Sequence, residues 1–454
     1  MKIQLGIPLY LAEIAKHGGG ITLSDINAKI EYIVTSSKDV KSGYLFVALP
    51  GKNVSGEIYS QDAKNLGGFV LGTKKDTADI LCENCLEFLL RLSSYYISKL
   101  QCLKTKIAVT GSVGKTTTKE FLAKFLEQSF AIHKTPENFN NFLGTALTVL
   151  SAPKNTEILI TEMGMNALGE ISRLSSAVKP DYAVITNIGT AHIGMLGTRN
   201  LIAKAKLEIK DGMKKGGILF VPKEEPLLME KGDTFFSLTN KNADYFLETD
   251  EHRNLKFYKD GELIFSKETK LKARHHLYAL LISLSVSHKL GVSKDTLLKI
   301  CANIDEHCLR KKSEKVGDLF IEDDTYSASP EAVKAELEYL KTSGKSFSVL
   351  LGDMLELGNM TEEAHREIGR FAYEAGARFL FTFGVYSHFI KMGAVDAGMK
   401  RECIFTNQDT GAPEVSAEQI LQYATPGETV LFKASHSIRA DRIIKNIKDK
   451  LYAG

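Results

Sequence analysis

Several protein classes are excluded by what this sequence lacks. Six cysteines in 454 residues are too few for a disulfide framework. Cys82 and Cys85 form an isolated C-x-x-C, and without a second pair nearby we expect two reduced core thiols there. A formal charge of +3 is nearly neutral at this length, which excludes global steering toward nucleic acid or a membrane surface. Local groups must therefore hold any anionic ligand.

Long apolar runs are also missing. No segment reaches the roughly 20 apolar residues that a membrane-spanning helix needs. The opening MKIQLGIPLYLAEIAK turns polar too soon for a signal peptide, so we expect a cytoplasmic protein without a membrane partner. No heptad seam calls for association, so we expect a monomer.

The alternation of apolar runs indicates an α/β fold. Residues 1–102 mix short strand-like pieces with turns and end in a helical pattern. From residue 103 to 308, near-continuous apolar runs alternate with helical patterns, which is typical of parallel strands buried on both faces. A second alternation of this kind fills residues 309–454. We therefore predict three domains: a small α/β N-terminal domain, a central parallel-sheet domain and a C-terminal doubly wound domain.

The most informative motif is KIAVTGSVGKTTTKE, residues 106–120. An apolar run breaks at Gly111 and Gly114, after which Lys115 and Thr116 open a helical pattern. Backbone N–H groups and a helix N-terminus hold phosphate oxygens in such a strand–loop–helix unit. Lys115 would reach the β- and γ-phosphates, and the Thr116 hydroxyl would ligate Mg²⁺. The motif predicts a nucleoside triphosphate site made by Gly111, Ser112, Val113, Gly114, Lys115, Thr116 and Thr117.

Further polar side chains stand at the ends of predicted strands or beyond them. Glu162 lies near the end of the strand EILITEMG, where a metal-facing acid belongs, although a structural rim carboxylate fits the same pattern. Asn187 and His192 lie in DYAVITNIGTAHIG, in the loop after another strand, and a lone histidine there suits packing as well as ligation. Lys206 lies in LIAKAKLEI among other lysines, a pattern that by itself favours a helix face in water.

Seven motifs taken together resemble the Mur ligase family. They are TGSVGKTTTKE (110–120), TEMGMNALGEI (161–171), TNIGTAH (186–192), AKLEI (205–209), DDTYSASP (323–330), LGDMLELG (351–358) and KASHSIR (433–439). They occur in the family's order over nearly the whole chain. The resemblance implies a central P-loop domain that binds ATP, an N-terminal domain that binds a UDP-linked substrate, and a C-terminal Rossmann-like domain. The last would close over ATP and bind the amino substrate.

The resemblance also implies two Mg²⁺ ions. Thr116 and Glu162 would hold one, and His192 and Lys206 the other, with Lys206 carbamylated by CO₂. An ammonium group cannot ligate a hard cation, so only the carbamate makes Lys206 a ligand. The implied catalytic residues are Lys115, Glu162, His192 and Lys206, and we expect them to converge on the loop from Gly111 to Thr116.

Matches to the family's motifs imply the remaining binding residues. Those for ATP are Asn187, Arg310, Asp324 and Tyr326. Those for the acyl substrate are Ser36, Asn138, Asn140 and Asn141. Those for the amino substrate are Lys433 and Ser435.

The implied activity is that of an ATP-dependent amide ligase of peptidoglycan precursor synthesis. A UDP-N-acetylmuramoyl-tripeptide would be activated as an acyl phosphate, and the amine of D-alanyl-D-alanine would attack it. Three alternatives remain open: a related ligase with another peptide or amino substrate, a non-catalytic nucleotide-binding paralogue, and a P-loop switch or kinase. Neither a switch nor a kinase explains the second α/β domain.

Four positions depart from the family's motifs. His276 and Ala279 stand where the family usually has asparagine, so an amide able to pair with adenine is lost. Gly194 stands two places after His192, where an acidic residue is common. Glu57 is the last residue of Ser-Gly-Glu (55–57), where the family has Asp-Gly-His.

Overall fold

The computed structural model describes residues 1–24, 27–51, 54–271, 273–304 and 312–452. Over these ranges the strands form three sheets flanked by helices. The predicted three-part α/β architecture is therefore confirmed. Within the same ranges, none of the helices combines the length and the apolar character that a membrane crossing requires.

The first sheet is small and mixed. Its strands are β1 (Lys2–Tyr10), β2 (Ile21–Thr22), β3 (Lys29–Val34), β4 (Leu45–Val47), β5 (Phe69–Gly72) and β6 (Ile80–Leu81), and its helices are α1 (Leu11–Gly18), α2 (Ser60–Asn65) and α3 (Cys85–Lys99). The order is β1-β3-β4-β5-β6-β2, parallel from β3 to β6 and antiparallel at both edges. Asn84 caps α3 by accepting from the N–H groups of Leu86 and Glu87.

The second sheet has nine strands and carries the P-loop, which is the loop from Gly111 to Thr116. The strands are β7 (Thr105–Thr110), β8 (Ile132–Lys134), β9 (Ile158–Glu162), β10 (Tyr182–Ile185), β11 (Ile218–Pro222), β12 (Thr234–Ser237), β13 (Tyr245–Thr249), β14 (Asn254–Lys259) and β15 (Glu262–Glu268). The helices are α4 (Lys115–Leu126), α5 (Phe142–Leu150), α6 (Glu170–Val178), α7 (Ile193–Leu196), α8 (Arg199–Leu207), α9 (Arg274–Lys289) and α10 (Lys294–Asn303).

Burial on both faces explains the apolar runs of this sheet. The order is β15-β14-β13-β12-β11-β10-β7-β9-β8, parallel from β13 to β8. In β7, Ala108 packs into the apolar cluster on one face, while Ile107 and Val109 pack into the cluster on the other. The first cluster continues into the N-terminal sheet, because α3 packs on α5 and α6. At one edge of the sheet, β14 and β15 form an antiparallel hairpin that turns at Asp260 and Gly261.

The third sheet is the predicted doubly wound unit. Its strands are β16 (Lys312–Val316), β17 (Leu319–Asp324), β18 (Phe347–Gly352), β19 (Leu380–Phe383), β20 (Ile404–Asn407) and β21 (Thr429–Lys433). Its helices are α11 (Pro330–Ser343), α12 (Thr361–Glu374), α13 (Ser387–Asp396), α14 (Pro413–Tyr423) and α15 (Asp441–Tyr452). The order is β16-β17-β21-β18-β19-β20, with β16 antiparallel and the others parallel. Separate apolar clusters cover its two faces.

The order of the strands brings the candidate site residues to one edge of each sheet. In the central sheet β7 lies between β9 and β10, so the loops that follow these three strands share one edge. The P-loop follows β7, Glu162 ends β9, and Asn187 follows β10. In the C-terminal sheet β21 lies between β17 and β18, which brings Asp324 beside Lys433.

Candidate active site

The P-loop is shaped by two glycines. Gly111 has φ +148°, and a Cβ there would lie 1.8 Å from the Thr186 hydroxyl oxygen. Gly114 has φ +82° and precedes the first residue of α4, a conformation that favours glycine. The Lys115 ammonium group donates to the carbonyls of Gly111 (2.7 Å) and Ser112 (3.3 Å). The loop is thereby closed on itself at the start of a helix.

Asn187 holds the shape of this loop from the neighbouring strand. Its side-chain oxygen accepts from the N–H groups of Ser112 (3.1 Å) and Val113 (3.0 Å), and its amide nitrogen donates to the Val113 carbonyl (3.2 Å). These two N–H groups therefore point to Asn187. The backbone N–H groups left to bind an anion are those of the first turn of α4, which have no acceptor within the helix. Direct ATP contacts of Ser112, Val113 and Asn187 stay a prediction.

Glu162 lies against the helix start that the P-loop leads into. Its side chain is 1% exposed, and β9 pairs with β7 so that Glu162 stands opposite Val109. The Thr116 hydroxyl donates to one carboxylate oxygen at 2.9 Å, and the Asn140 amide donates to the other at 2.8 Å. Asn140 was predicted near the acyl substrate, and its contact here is with this carboxylate.

Lys119 belongs to this site although the sequence interpretation missed it. It is fully buried, with Nζ 3.7 Å from a Glu162 oxygen and 3.3 Å from a Glu120 oxygen. Its ammonium group also donates to the carbonyl of Glu137. Its spacing could have revealed it, because a residue four places after Lys115 shares that residue's helix face.

Lys206 is buried, against the pattern of its helix. It is 2% exposed, whereas Lys204 and Lys210 are exposed. Desolvation lowers the pKa of Lys206 well below its usual value, and repulsion from Lys115 lowers it further. Desolvation lowers the pKa of Lys115 too, partly offset by Glu162. The structure thus places Lys206 near the P-loop lysine in a setting that favours the neutral amine.

His192 makes its close contact with the C-terminal part of the chain. Its Nδ1 lies 2.5 Å from a carboxylate oxygen of Glu356. The loop before it is tied to the P-loop, since the Gly189 N–H donates to the Ser112 hydroxyl at 2.9 Å. The structure therefore places Glu162 and Lys206 beside the P-loop, and His192 between that loop and the C-terminal unit.

The predicted C-terminal residues form a second cluster. Lys433 forms an ion pair with Asp324 and donates to the Ser327 carbonyl at 2.7 Å. The ring of Tyr326 lies 5.2 Å from that of His436. The Ser435 hydroxyl accepts from the Leu355 N–H at 3.1 Å. The predicted Arg310 lies outside the described residues.

Two cavities lie on either side of the P-loop edge. One of about 320 Å³ lies between the central and C-terminal units and is lined by Val113, Gly114, Thr118, Thr186, Asn187, Ala273, Arg274, His275, Tyr278, Ala279, Ile282, Ala335, Glu338, Tyr339 and Thr342. The other, of about 300 Å³, lies between the N-terminal and central units and is lined by Leu49, Pro50, Leu86, Asn141, Phe142, Leu143, Gly164, Asn166, Glu170 and Leu174. Both volumes fall in the range of small-molecule sites.

The other residues predicted to bind the acyl substrate lie in three different places. Asn141 lines the second cavity and also caps α5 by accepting from the Gly144 N–H. Asn138 accepts from the Asn140 N–H through its carbonyl, in the loop before α5. Ser36 lies in the N-terminal unit, outside the residues that line the second cavity.

The C-x-x-C pair is a pair of core thiols. Cys82 and Cys85 are buried, their sulfur atoms are 3.7 Å apart, and both are free. The Cys85 thiol donates toward the carbonyls of Ala48 and Leu71. Their burial agrees with the predicted position in the core, and their reduced state stays a prediction.

The fold and this site define a P-loop protein built from three α/β units. The family described as Mur ligase middle domain matches residues 109–287. The UDP-N-acetylmuramoyl-tripeptide–D-alanyl-D-alanine ligase of Bacillus subtilis (strain 168) is 34% identical over 439 residues, which cover 92% of this chain and 93% of that protein. The ligase of the same name from Rickettsia prowazekii (strain Madrid E) is 30% identical over 94% of this chain and 96% of its own.

Solved structures match over nearly the whole chain. MurF ligase from Thermotoga maritima, in complex with ADP, has a TM-score of 0.79 at 28% identity and covers 93% of this chain and 98% of its own. MurF from Acinetobacter baumannii shares the fold, with a TM-score of 0.84 at 23% identity over 98% of this chain and 100% of its own. The chain belongs to the Mur ligase family.

Burial of Lys206 predicts an unusual pH dependence of stability. Because its folded-state pKa is depressed, the unfolded chain binds the extra proton, and this residue's contribution to stability rises with pH until the unfolded value near 10.5. In CO₂-free buffer, Lys206→Met should remove that rise, whose slope approaches about 1.4 kcal/mol per pH unit. Denaturant unfolding between pH 7 and 10 measures it. The exposed Lys204→Met is the control, and identical slopes in all three proteins would contradict the prediction.

Lys119 should stabilise the site through Glu162. Lys119→Met removes a buried cation and leaves the neighbouring carboxylates without it, so we expect a loss of about 3 kcal/mol in the free energy of unfolding. Lys124→Met, on the same helix, should cost little. Urea unfolding compares the two, and equal stability of both variants would refute this role.

Proposed function

We propose that this protein is a cytoplasmic, ATP-dependent ligase that joins D-alanyl-D-alanine to a UDP-N-acetylmuramoyl-tripeptide in peptidoglycan precursor synthesis. Relatives at 34% and 30% identity over nearly the whole chain carry that activity in their names. We further propose the domain bounds 1–102 for the UDP-linked substrate, 103–308 for ATP, and 309–454 for closure and the amino substrate.

The observation that carries the proposal is the position of the two cavities. Gly114 lines one, and the helix that begins beside it holds Thr116 against Glu162. Gly164 lines the other, and its N–H donates to the Asn140 carbonyl, while the Asn140 side chain binds Glu162. A ligase needs two substrates to meet at one phosphoryl group, whereas a P-loop switch needs only the nucleotide. One cavity lined by the P-loop and another lined by the loop after β9 favour the ligase.

The first Mg²⁺ site fits the residues present. Thr116 and Glu162 offer hard oxygen donors within 2.9 Å of one another at the start of α4. An ion held there would neutralise charge on the β- and γ-phosphates. Lys115, which spans the loop in this structure, would turn to the same phosphate oxygens. No group of three or more His, Cys, Asp or Glu residues able to hold a metal occurs among the described residues, so a second ion depends on Lys206.

We propose that Lys206 carries a carbamate. A neutral amine is the form that adds to CO₂, with a new N–C bond and loss of one proton, and burial favours that form here. The product replaces a buried base with oxygen ligands that suit Mg²⁺. Together with His192, it would hold the second ion.

The proposed reaction has two steps. The tripeptide's terminal carboxylate attacks the γ-phosphorus, the bond to ADP breaks, and an acyl phosphate forms. The amine of D-alanyl-D-alanine then attacks the acyl carbon, phosphate leaves, and the amine loses a proton. Lys115 stabilises the charge on the transferring group, and the C-terminal unit excludes water from the labile acyl phosphate.

The proposed function predicts phosphate release that depends on both substrates. A coupled phosphate assay with ATP, Mg²⁺ and UDP-MurNAc-tripeptides that vary at residue three should show turnover only with D-alanyl-D-alanine. Lys115→Ala should lower kcat by at least 100-fold with the fold intact. Release without the amine would indicate a switch, and no release with any tripeptide would indicate another substrate or a paralogue.

The carbamate has its own test. Lys206→Ala should nearly abolish turnover, and short-chain carboxylic acids should restore part of it by placing oxygens where the carbamate stood. Lys204→Ala, exposed on the same helix, should keep full activity and show no response to acid. Full activity of Lys206→Ala would remove the carbamate from the proposal.

A further inference from the structure

Two backbone segments from different units touch at Gly194. Its N–H donates to the Glu356 carbonyl at 2.8 Å. A Cβ on Gly194 would lie 2.4 Å from the Gly358 nitrogen and 2.6 Å from the Glu356 oxygen. The φ of Gly194 is not in the left-handed region, so space, not conformation, requires glycine. Any side chain here would push the C-terminal unit away from the loop that carries His192.

The contact places the Glu356 carboxylate beside His192. Glu356 has φ +66°, a conformation that few residues other than glycine adopt. This backbone turn places its carboxylate 2.5 Å from His192 Nδ1. The Glu356 side chain is 45% exposed, so the pair contributes little to stability. Its consequence is the direction of the ring, because a carboxylate on Nδ1 leaves Nε2 as the nitrogen for a metal.

A second carboxylate supports the same docking. Glu331, in the first turn of α11, accepts from the N–H and the hydroxyl of Thr190 at 2.7 and 2.8 Å. Ile193 packs against the apolar clusters of both units. Together with the two contacts of Glu356, the loop is therefore held by the C-terminal unit at four residues: Thr190, His192, Ile193 and Gly194.

We propose that Glu356 is the positioning residue for His192, and that the glycine contact at 194 and 358 lets it act only when the C-terminal unit is docked. Where the family often has an acid two places after the histidine, this chain has Gly194, and the carboxylate comes from the other unit. Assembly of the second metal site is thereby coupled to closure. This inference rests on the proposed function, in which His192 is a metal ligand.

The test measures metal binding directly. With ADP present, Mn²⁺ bound to full-length protein is counted by electron paramagnetic resonance. In Glu356→Ala, the weaker of two Mn²⁺ sites should lose affinity about 10-fold or more, the size expected for a lost outer partner. Glu356→Gln should recover most of it, because the amide oxygen still accepts from Nδ1–H. Glu363→Gln, exposed on α12, is the control.

Gly194→Ala tests the docking half of the proposal. It should weaken the same Mn²⁺ site, enlarge the radius of gyration in small-angle scattering, and add no further loss when combined with Glu356→Ala. In turnover, both single variants should lower kcat with KM for ATP within twofold. Met195→Ala, exposed on α7, should change neither quantity.

The outcomes separate the two proposals. Wild-type Mn²⁺ affinity in Glu356→Ala overturns the positioning role, and so does failure of the Gln variant to recover it. Additive losses in the double variant overturn the link to docking. Absence of amine-dependent turnover in the wild type would instead overturn the proposed function, while the Mn²⁺ measurement still decides the role of Glu356.

Discussion

The buried carboxylate of Glu162 is the group around which the site is arranged. Lys119 and Thr116 contact it directly, and Lys115 is close enough for the carboxylate to favour its charged form. Lys206 lies near Lys115. Lys115 thus shares the Glu162 carboxylate with Lys119, and burial disfavours its charged form, so an anion at the loop would stabilise it. A triphosphate would supply the missing negative charge, and a carbamate on Lys206 would supply more.

Strand pairing fixes the positions of the side chains around the P-loop. Glu162 faces the P-loop because β9 pairs in parallel with β7, and Asn187 reaches the loop because β10 pairs on the other side. A shift of one residue in either pairing would turn these side chains to the opposite face of the sheet. The apolar runs that define β7, β9 and β10 are therefore as necessary to the site as its polar residues.

The sequence predicts the parts of this protein that depend on local order along the chain. The strand–loop–helix at 106–120 and the two α/β alternations follow from apolar periodicity and glycine placement. Burial of Lys206 does not, because its helix looks solvent-facing until tertiary packing covers that face. β20 was also not predicted: its four residues include two polar ones, and pairing with β19 makes it a strand. Tertiary packing decides such positions, and no window of sequence contains it.

Departures from the family's motifs differ in what they change. Glu57 accepts from the backbone and hydroxyl of Thr73 at 2.6 and 2.9 Å, so this buried acid ties a turn to the end of β5 and needs no ligand to explain it. Ala279 is different, because it lines the 320 Å³ cavity that opens on the P-loop. An alanine can contact a base but cannot hydrogen-bond to it. In the proposed nucleotide site, recognition of the base would then come from other groups of that lining, while the P-loop would hold the phosphates. In that arrangement the groups that activate the carboxylate would be separate from those that select the nucleotide, so that one set could change without the other.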